Sequence, residues 1–350
     1  MENLSRRKFI ITSVLLSASP LFAKSSSKIH IDLLKKPFEY HVKKGKLPGK
    51  RVLIIGGIHG NEIGAYKASD LLVDCDIKRG ELIIIPRSNF TSILAKMRGY
   101  NGDMNRKFAH IDKKDPDRYF VELLKSAILE FRPDVVISMH DGYGFARKNP
   151  NHWGQSIVID ENIYKNFHLY EEAYSILKDA NPHFAHYKLG LLNTRTFTSS
   201  RHKEQRNALT GWCLQHDIKA YCIEASKQLR LDQKIYTHLV MLREFFKRYK
   251  IELAPSIDQL IHDETLWNHH KTTTVTLKIN GSIHKFSKSG TLKIPKGSNI
   301  EVVAIDGNRG SYLIGKHINL NWQSFYFSKP QQFLLKEDYK TRMRLTVYPV

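Results

Sequence analysis

At 350 residues the chain is too long for one ordinary hydrophobic core and long enough for a large α/β domain with a smaller companion. Apolar residues make up 41% and charged residues 25%, a balance that excludes an intrinsically disordered protein. The formal net charge is +21, yet the 55 Lys and Arg are spread along the whole length with no nucleic-acid motif, so no nucleic-acid partner is expected.

Residues 1–23 read as an export signal rather than as part of the fold. Arg6, Arg7 and Lys8 form a basic start, Phe9 to Ala18 is an apolar stretch of signal length, and Leu21-Phe22-Ala23 offers a small residue for cleavage. That stretch is too short to cross a bilayer, so no transmembrane segment is expected after cleavage. The order Ser5-Arg6-Arg7-Lys8-Phe9-Ile10 is similar to a twin-arginine signal, the alternative being an ordinary secretory signal containing two arginines. Either one predicts an exported, periplasmic protein whose basic charge suits an anionic cell-wall polymer.

The segment Arg51 to Ile55 is a short apolar strand that runs into GGIHGNE, and Ile63 to Cys75 has the apolar spacing of a helix. A strand at Leu82 to Ile85 stops at Pro86, a helix follows near Tyr119 to Phe131, and strand Val135 to Met139 ends at His140. Helices near Ile163 to Leu177, Gln205 to His216 and Gln233 to Tyr249 flank a further strand, Ala220 to Ile223, that ends at Glu224. Strands alternating with helices predict an α/β mixed sheet flanked by helices over residues 24–262. Ala254 to His270 reads as a linker or bridging helix. From Thr272 onward, TVTLKI, GTLKI, IEVVAI, SFYF and RLTVY alternate apolar with polar between Asn-Gly, Ser-Gly and Asp-Gly turns. That pattern predicts a smaller all-β accessory domain over residues 263–350.

Cysteines number only three, which excludes a disulfide framework. Three buried thiols are expected for Cys75, Cys213 and Cys222, although a Cys213 to Cys222 bridge is open to an exported chain.

Chemistry concentrates in four residues. His59 and Glu62 in GGIHGNE, together with His140, form a workable zinc triad, since zinc takes imidazole nitrogen and carboxylate oxygen and keeps a fourth position for water. Glu224 would then be the base for that water. His59, His140 and Glu224 are each expected just past the carboxyl end of a strand, where open α/β sheets place their ligands. A lone His is more often a surface residue, and Glu62 alone could simply complement a helix dipole. Gly56, Gly57 and Gly60 around His59 weaken that reading, because they let the backbone turn sharply beside a bound group. A second cluster, Asp103-Met104-Asn105-Arg106 preceded by Arg98, suits a carboxylate: Arg binds one bidentately and Asn adds a donor. The bland reading is a solvated charge run, since Arg87, Lys96, Arg98, Arg106 and Lys107 fall close together.

HGNE, DMNR, the strand-end His140 and the late Glu224 resemble, in order and character, the zinc carboxypeptidase superfamily of funnelin fold. More narrowly, they resemble the murein DL-carboxypeptidases that trim peptidoglycan stem peptides and set helical cell shape. NPNHWGQSIVID around Trp153 and Gln155, and the run Glu224-Ala225-Ser226-Lys227, belong to the same resemblance, which covers about residues 50 to 250 firmly. It implies one zinc ion per chain on His59, Glu62 and His140, with Glu224 as general base. It also implies that Asn105 and Arg106 hold the α-carboxylate of the departing residue, that Arg98 stabilises the oxyanion, and that Trp153 and Lys227 belong to the pocket. The implied substrate is a muramyl tripeptide, cut to the dipeptide with release of diaminopimelate. Two departures stand out: shape-determining members carry Gln where this chain has His59, and the chain has room for one accessory β domain where longer members have two.

Two other readings compete. GGIHGNE and D-x-N-R are shared with aspartoacylase and succinylglutamate desuccinylase, which apply the same zinc chemistry to N-acyl amino acids. Export and the appended β module speak against that alternative. A catalytically dead wall-binding protein is opposed by the intact set of four catalytic positions.

Overall fold

The computed structural model describes residues 38–263, 265, 273–315, 318–319, 324–326 and 328–350. The expected export signal lies outside the described residues. The chain divides into two compact units, one running from Phe38 to Asn268 and one that takes in the C-terminal β module.

The first unit is built on an eight-stranded mixed sheet. Its strands are β1 (His41–Lys44), β2 (Leu47–Ile55), β3 (Asp76–Ile85), β4 (Val135–Gly142), β5 (Ser156–Ile159), β8 (Gly190–Asn193), β9 (Ala220–Ser226) and β10 (Glu252–Ala254). They lie in the order β1-β3-β2-β4-β9-β5-β8, with β10 also on β3. Pairs β2–β3, β2–β4, β4–β9 and β5–β8 are parallel, whereas β5 runs antiparallel to β9. The helices are α1 (Ile63–Val73), α2 (Phe90–Ala95), α3 (Arg118–Phe131), α4 (Leu169–Ala180), α5 (Leu209–Gln215), α6 (Leu231–Tyr249) and α7 (Ile257–His262). Among the described residues no helix is long and apolar enough to cross a membrane.

Side chains alternate across a strand, and here the alternation separates core from site. Val52 and Ile54 of β2, Ile137 and Met139 of β4, Tyr221 and Ile223 of β9 and Ile157 and Ile159 of β5 share one buried cluster. Leu239, Leu242 and Phe246 of α6, with Ala68 and Leu72 of α1, complete that cluster. The opposite parity is apolar in midsheet, where Leu53, Ile83 and Val136 are fully buried, and turns polar at the carboxyl edge as Ser138, His140, Cys222 and Glu224. A sheet buried on both faces reads as continuous apolar runs, as RVLII and LIII do.

Several expectations need correction. His140 and Glu224 do not lie past their strands but inside them, because the β4–β9 ladder continues through the pairs His140↔Glu224 and Gly142↔Ser226. The helix expected from Ile163 begins only at Leu169: Ile163–Tyr164 and Phe167–His168 (β6 and β7) pair as a two-stranded hairpin, with Lys165 at positive φ in its turn. The helix expected over Gln205 to His216 breaks at Ala208, whose extended backbone separates a 3-10 turn, Lys203–Asn207, from α5. The segment read as linker or bridging helix starts on the last residue of β10 and then holds α7, which opens on a capping box between Ser256 and Gln259. Its residues 264 and 266–270 lie outside the described residues.

The C-terminal module is all-β as expected. One sheet has the order β12-β11-β14-β17 and the other β13-β19-β18-β15-β16. Here β11 is Thr274–Ile279, β12 Ser282–Phe286, β13 Gly290–Ile294, β14 Ile300–Asp306, β15 Ser311–Gly315, β16 Ile318–Asn319, β17 Ser324–Phe325, β18 Gln331–Glu337 and β19 Lys340–Pro349. Asn280 and Gly281 both take positive φ, the backbone that a two-residue hairpin between β11 and β12 requires. Val275, Leu277 and Val302 from one sheet and Leu313, Leu335 and Val347 from the other fill a single core. The three cysteines are free and buried.

Candidate active site

The β2 strand delivers the chain into GGIHGNE at the sheet's carboxyl edge. Gly60 is required there because a Cβ at this position would lie 2.0 Å from the Ser92 backbone in α2. Glu62 is the residue before the first turn of α1, but its side chain makes no cap hydrogen bond. It turns instead to the histidines. His59 Nδ1 is 2.9 Å from Glu62 Oε1, His140 Nδ1 is 2.8 Å from Glu62 Oε2, and the two Nδ1 atoms are 3.1 Å apart.

These ligand atoms all lie within 4.8 Å of one another, and all three residues are buried. Tetrahedral bonds of about 2.1 Å set ligand atoms about 3.4 Å apart, so a small opening of the cluster admits a zinc-sized ion. The outer ring nitrogens are already engaged. His59 Nε2 is 2.9 Å from Asp103 Oδ1 and His140 Nε2 is 3.0 Å from Ser138 Oγ. Such partners fix ring orientation and leave Nδ1 of both rings turned inward.

The electrostatics of Glu62 and Asp103 favour positive charge at His59. Burial alone would lower the His59 pKa, but Glu62 and Asp103 outweigh it and leave it raised. Burial alone would raise Glu62, but the two histidines hold it well below the usual carboxylate range. Burial keeps His140 below its ordinary value.

Glu224 stands opposite His140 in the ladder. Its Oε1 accepts from Cys222 Sγ at 3.4 Å, and its buried Oε2 has no hydrogen-bond partner among the described residues. Burial first, and the nearby Glu62 second, push its pKa well above that of an ordinary carboxylate. A buried, unpartnered carboxylate oxygen is costly to the fold and is what a proton acceptor needs. Gly142 leaves it room: a Cβ there would come within 2.8 Å of Glu224 Oε2.

The residues expected to hold a carboxylate sit on the loop after α2. Asp103 accepts from the Asn105 backbone, starting the 3-10 turn Met104–Arg106. Asn105 Oδ1 accepts from Leu209 N at 2.9 Å, which leaves its Nδ2 as a donor. Arg106 Nη1 donates to Asn105 O, and no ion pair of Arg106 is found among the described residues. Arg98 donates to Asp103 through Nε and Nη2 and to Glu62 through Nη1 at 3.3 Å. Lys227 Nζ lies 3.3 Å from Glu62 Oε1, and Trp153 meets His202 edge-on.

All nine residues singled out in the sequence line one cavity of about 410 Å³: His59, Glu62, Arg98, Asn105, Arg106, His140, Trp153, Glu224 and Lys227. The charge-run reading fails for Arg87 and Lys107. Arg87 pairs in the interior with Asp70, and Lys107 is held by Asp115 and Asp117. Sequence reasoning missed the orienting roles of Asp103 and Ser138, and also Asp160 and Gln205 in the cavity wall. Asp103 lay within the quoted DMNR, and Ser138 two residues before His140 on the same strand face was the available signal.

Asp103→Asn keeps the shape of the carboxylate but removes the charge that faces His59. It is expected to weaken metal binding about 10- to 100-fold, measured by competition with a chromophoric chelator. Unchanged affinity would limit Asp103 to holding Arg98.

A His-Glu-His cluster that could hold a metal ion, a buried carboxylate and the Arg106 and Asn105 side chains line one cavity, a grouping suited to hydrolysis next to a terminal carboxylate, and the protein is a carboxypeptidase. It belongs to the family described as carboxypeptidase controlling helical cell shape, catalytic, which matches residues 22–263. Among solved structures, the product-bound cell shape determinant protein Csd4 of Helicobacter pylori is similar at 20% identity, over 90% of this chain and 100% of that one, with TM-score 0.60. The tripeptide-bound form of Csd4 is similar at 21% identity over 90% and 100%, with TM-score 0.59. The mDAP-bound form, described as a D,L-carboxypeptidase, is similar at 20% over 89% and 100%, with TM-score 0.58. At these identities the likeness is one of fold. No curated protein matches the chain.

Proposed function

We propose that the protein is an exported, zinc-dependent carboxypeptidase that trims peptidoglycan stem peptides in the periplasm and thereby influences cell shape. Its substrate on this reading is a muramyl tripeptide, cut to the dipeptide with release of the terminal diaminopimelate. The carrying observation is the joint lining of one cavity by the His59, Glu62 and His140 cluster, the free Oε2 of Glu224, and the unpaired Arg106 beside Asn105. The Csd4 structures bound to tripeptide and to mDAP lend support from the same fold. The deacylase alternative is disfavoured by the family match.

His59 Nδ1, Glu62 and His140 Nδ1 would hold the zinc ion. When bound, zinc supplies Lewis-acid polarisation of the scissile carbonyl and a water of pKa about 7. Arg106 and Asn105 Nδ2 hold the α-carboxylate of the departing residue, fixing the scissile bond relative to Glu224. Glu224 takes a proton from the attacking water at Oε2 and returns it to the leaving amine, so one water is consumed per bond cut. Arg98 faces charge that develops on the carbonyl oxygen only in the tetrahedral state, where stabilisation accelerates reaction.

Digestion of purified muropeptides by the mature protein tests this reading. The expected result is release of free diaminopimelate, identified by mass, and none after chelation. Cleavage of N-succinylglutamate with no attack on muramyl tripeptide would replace it with the deacylase reading.

A further inference from the structure

Behind the cavity, the helix layer buries a set of polar groups that the mechanism does not use. Alternation along β4 turns His140 toward the cavity and Asp141 toward the helices, on the same face as the core residue Met139. Asp141 and His238 of α6 are both fully buried. His238 Nε2 lies 3.0 Å from Asp141 Oδ1, and since an ionised carboxylate only accepts, this nitrogen carries the hydrogen. The ring's Nδ1 has no hydrogen-bond partner among the described residues, so Asp141 is its one polar anchor there. Lys234 Nζ, one turn earlier on α6, is 3.8 Å from Asp141 Oδ2.

The same aspartate reaches the loop that carries the metal-cluster residues. Its Oδ2 accepts from Gly64 N at 2.8 Å, and its backbone N donates to Glu62 Oε2 at 3.2 Å. Gly64 has no room for a side chain: a Cβ would lie 2.5 Å from Lys234 Cβ and 2.7 Å from Asp141 Oδ1. Asp141 thus follows one residue of the cluster in sequence, holds a second through its backbone, and pins the chain two residues beyond that second one. Replacing a buried polar pair by apolar groups of similar volume is often neutral or stabilising, so folding alone does not account for this one.

We propose that His238 and Asp141 are positioning residues: through Gly64 they lock the first turn of α1 against β4 and so hold Glu62 in register with His140. The inference goes beyond the carboxypeptidase reading by naming what keeps the cluster assembled, and only its zinc measurement rests on that reading.

Two measurements on the full chain test it. The first is hydrogen exchange of the metal-free protein. Amides of residues 58–66, Gly64 among them, are expected to exchange at least about tenfold faster in His238→Leu than in wild type. In His238→Gln, whose amide nitrogen replaces Nε2 as donor, they should stay within about twofold of wild type. Tyr249→Phe removes a buried hydrogen bond to Glu172 from the same helix and should leave that segment unchanged. The second measurement is zinc affinity by competition with a chromophoric chelator, expected to weaken about tenfold in His238→Leu and by less than about threefold in the other two variants. Exchange or affinity of His238→Leu equal to that of wild type would overturn the proposal, as would equal losses in all three variants, the mark of α6 acting only as structure. If His238→Leu does not fold, Asp141→Asn decides: it leaves one acceptor oxygen for two donors and should show the same faster exchange, and unchanged exchange would overturn the proposal. Failure of the metal reading appears as a wild type that binds no zinc while the exchange pattern stands, whereas failure here removes the pattern and leaves wild-type zinc binding.

Discussion

Glu224→Gln is expected to keep the metal and to lose about 10³- to 10⁴-fold in kcat, the range that a positioned general base contributes. The substitution is nearly isosteric and leaves the His59, Glu62 and His140 cluster untouched, since Glu224 bonds none of the three. It removes only the ability to accept a proton at Oε2. In the metal-free protein the same change is expected to stabilise the fold. Burial and Glu62 raise the Glu224 pKa above that of the unfolded chain, so the folded state binds the extra proton. Stability then falls as pH rises from the ordinary carboxylate range, near 4.3, toward the raised folded value, and a neutral amide escapes that loss. Chelated Glu224→Gln should therefore melt higher than chelated wild type at neutral pH. A variant that turned over at the wild-type rate would remove Glu224 from the mechanism.

His140→Ala is expected to abolish both metal binding and measurable turnover. His140 is buried, its Nδ1 faces Glu62 and His59, and its Nε2 is held by Ser138. Alanine leaves Glu62 buried with His59 as its remaining imidazole, too few ligands for a tight zinc site. A thermal readout separates this from general damage. A ligand present at a thousand times its Kd stabilises the native state by about 4 kcal/mol, so adding chelator should lower the Tm of wild type clearly. The Tm of His140→Ala should not respond. Equal responses of both proteins would mean that the metal is held elsewhere.

The motifs of the candidate site were legible because each is short and abuts an apolar run. RVLII into HGNE, VVISM into His140 and AYCI into Glu224 carry their chemistry in sequence order, and His59, His140 and Glu224 meet at one sheet edge. What the sequence hides is parity and register. Ser138, Cys222 and Asp160 face the cavity only because β4, β9 and β5 lie side by side, with His140 and Ser156 both paired to Glu224. The strand Ser156–Ile159 lay unnoticed inside NPNHWGQSIVID, where four residues are too few for alternation to show. Gln205 enters the wall through the break at Ala208, which periodicity read as continuous helix. The partners of Arg87 and Lys107, which pull them out of a supposed surface run, lie only 17 and 8 to 10 residues away, but nothing in the sequence marks them as pairs.

The proposed mechanism depends on a metal ion at His59, Glu62 and His140, and elemental analysis of protein purified without chelator tests for that ion directly. One equivalent of zinc per chain in wild type, and less than a tenth of that in His140→Ala prepared in parallel, about a tenfold drop in occupancy, is the predicted result. A wild-type protein without zinc that still trims muropeptides, or a His140→Ala protein that keeps its full equivalent, would contradict it.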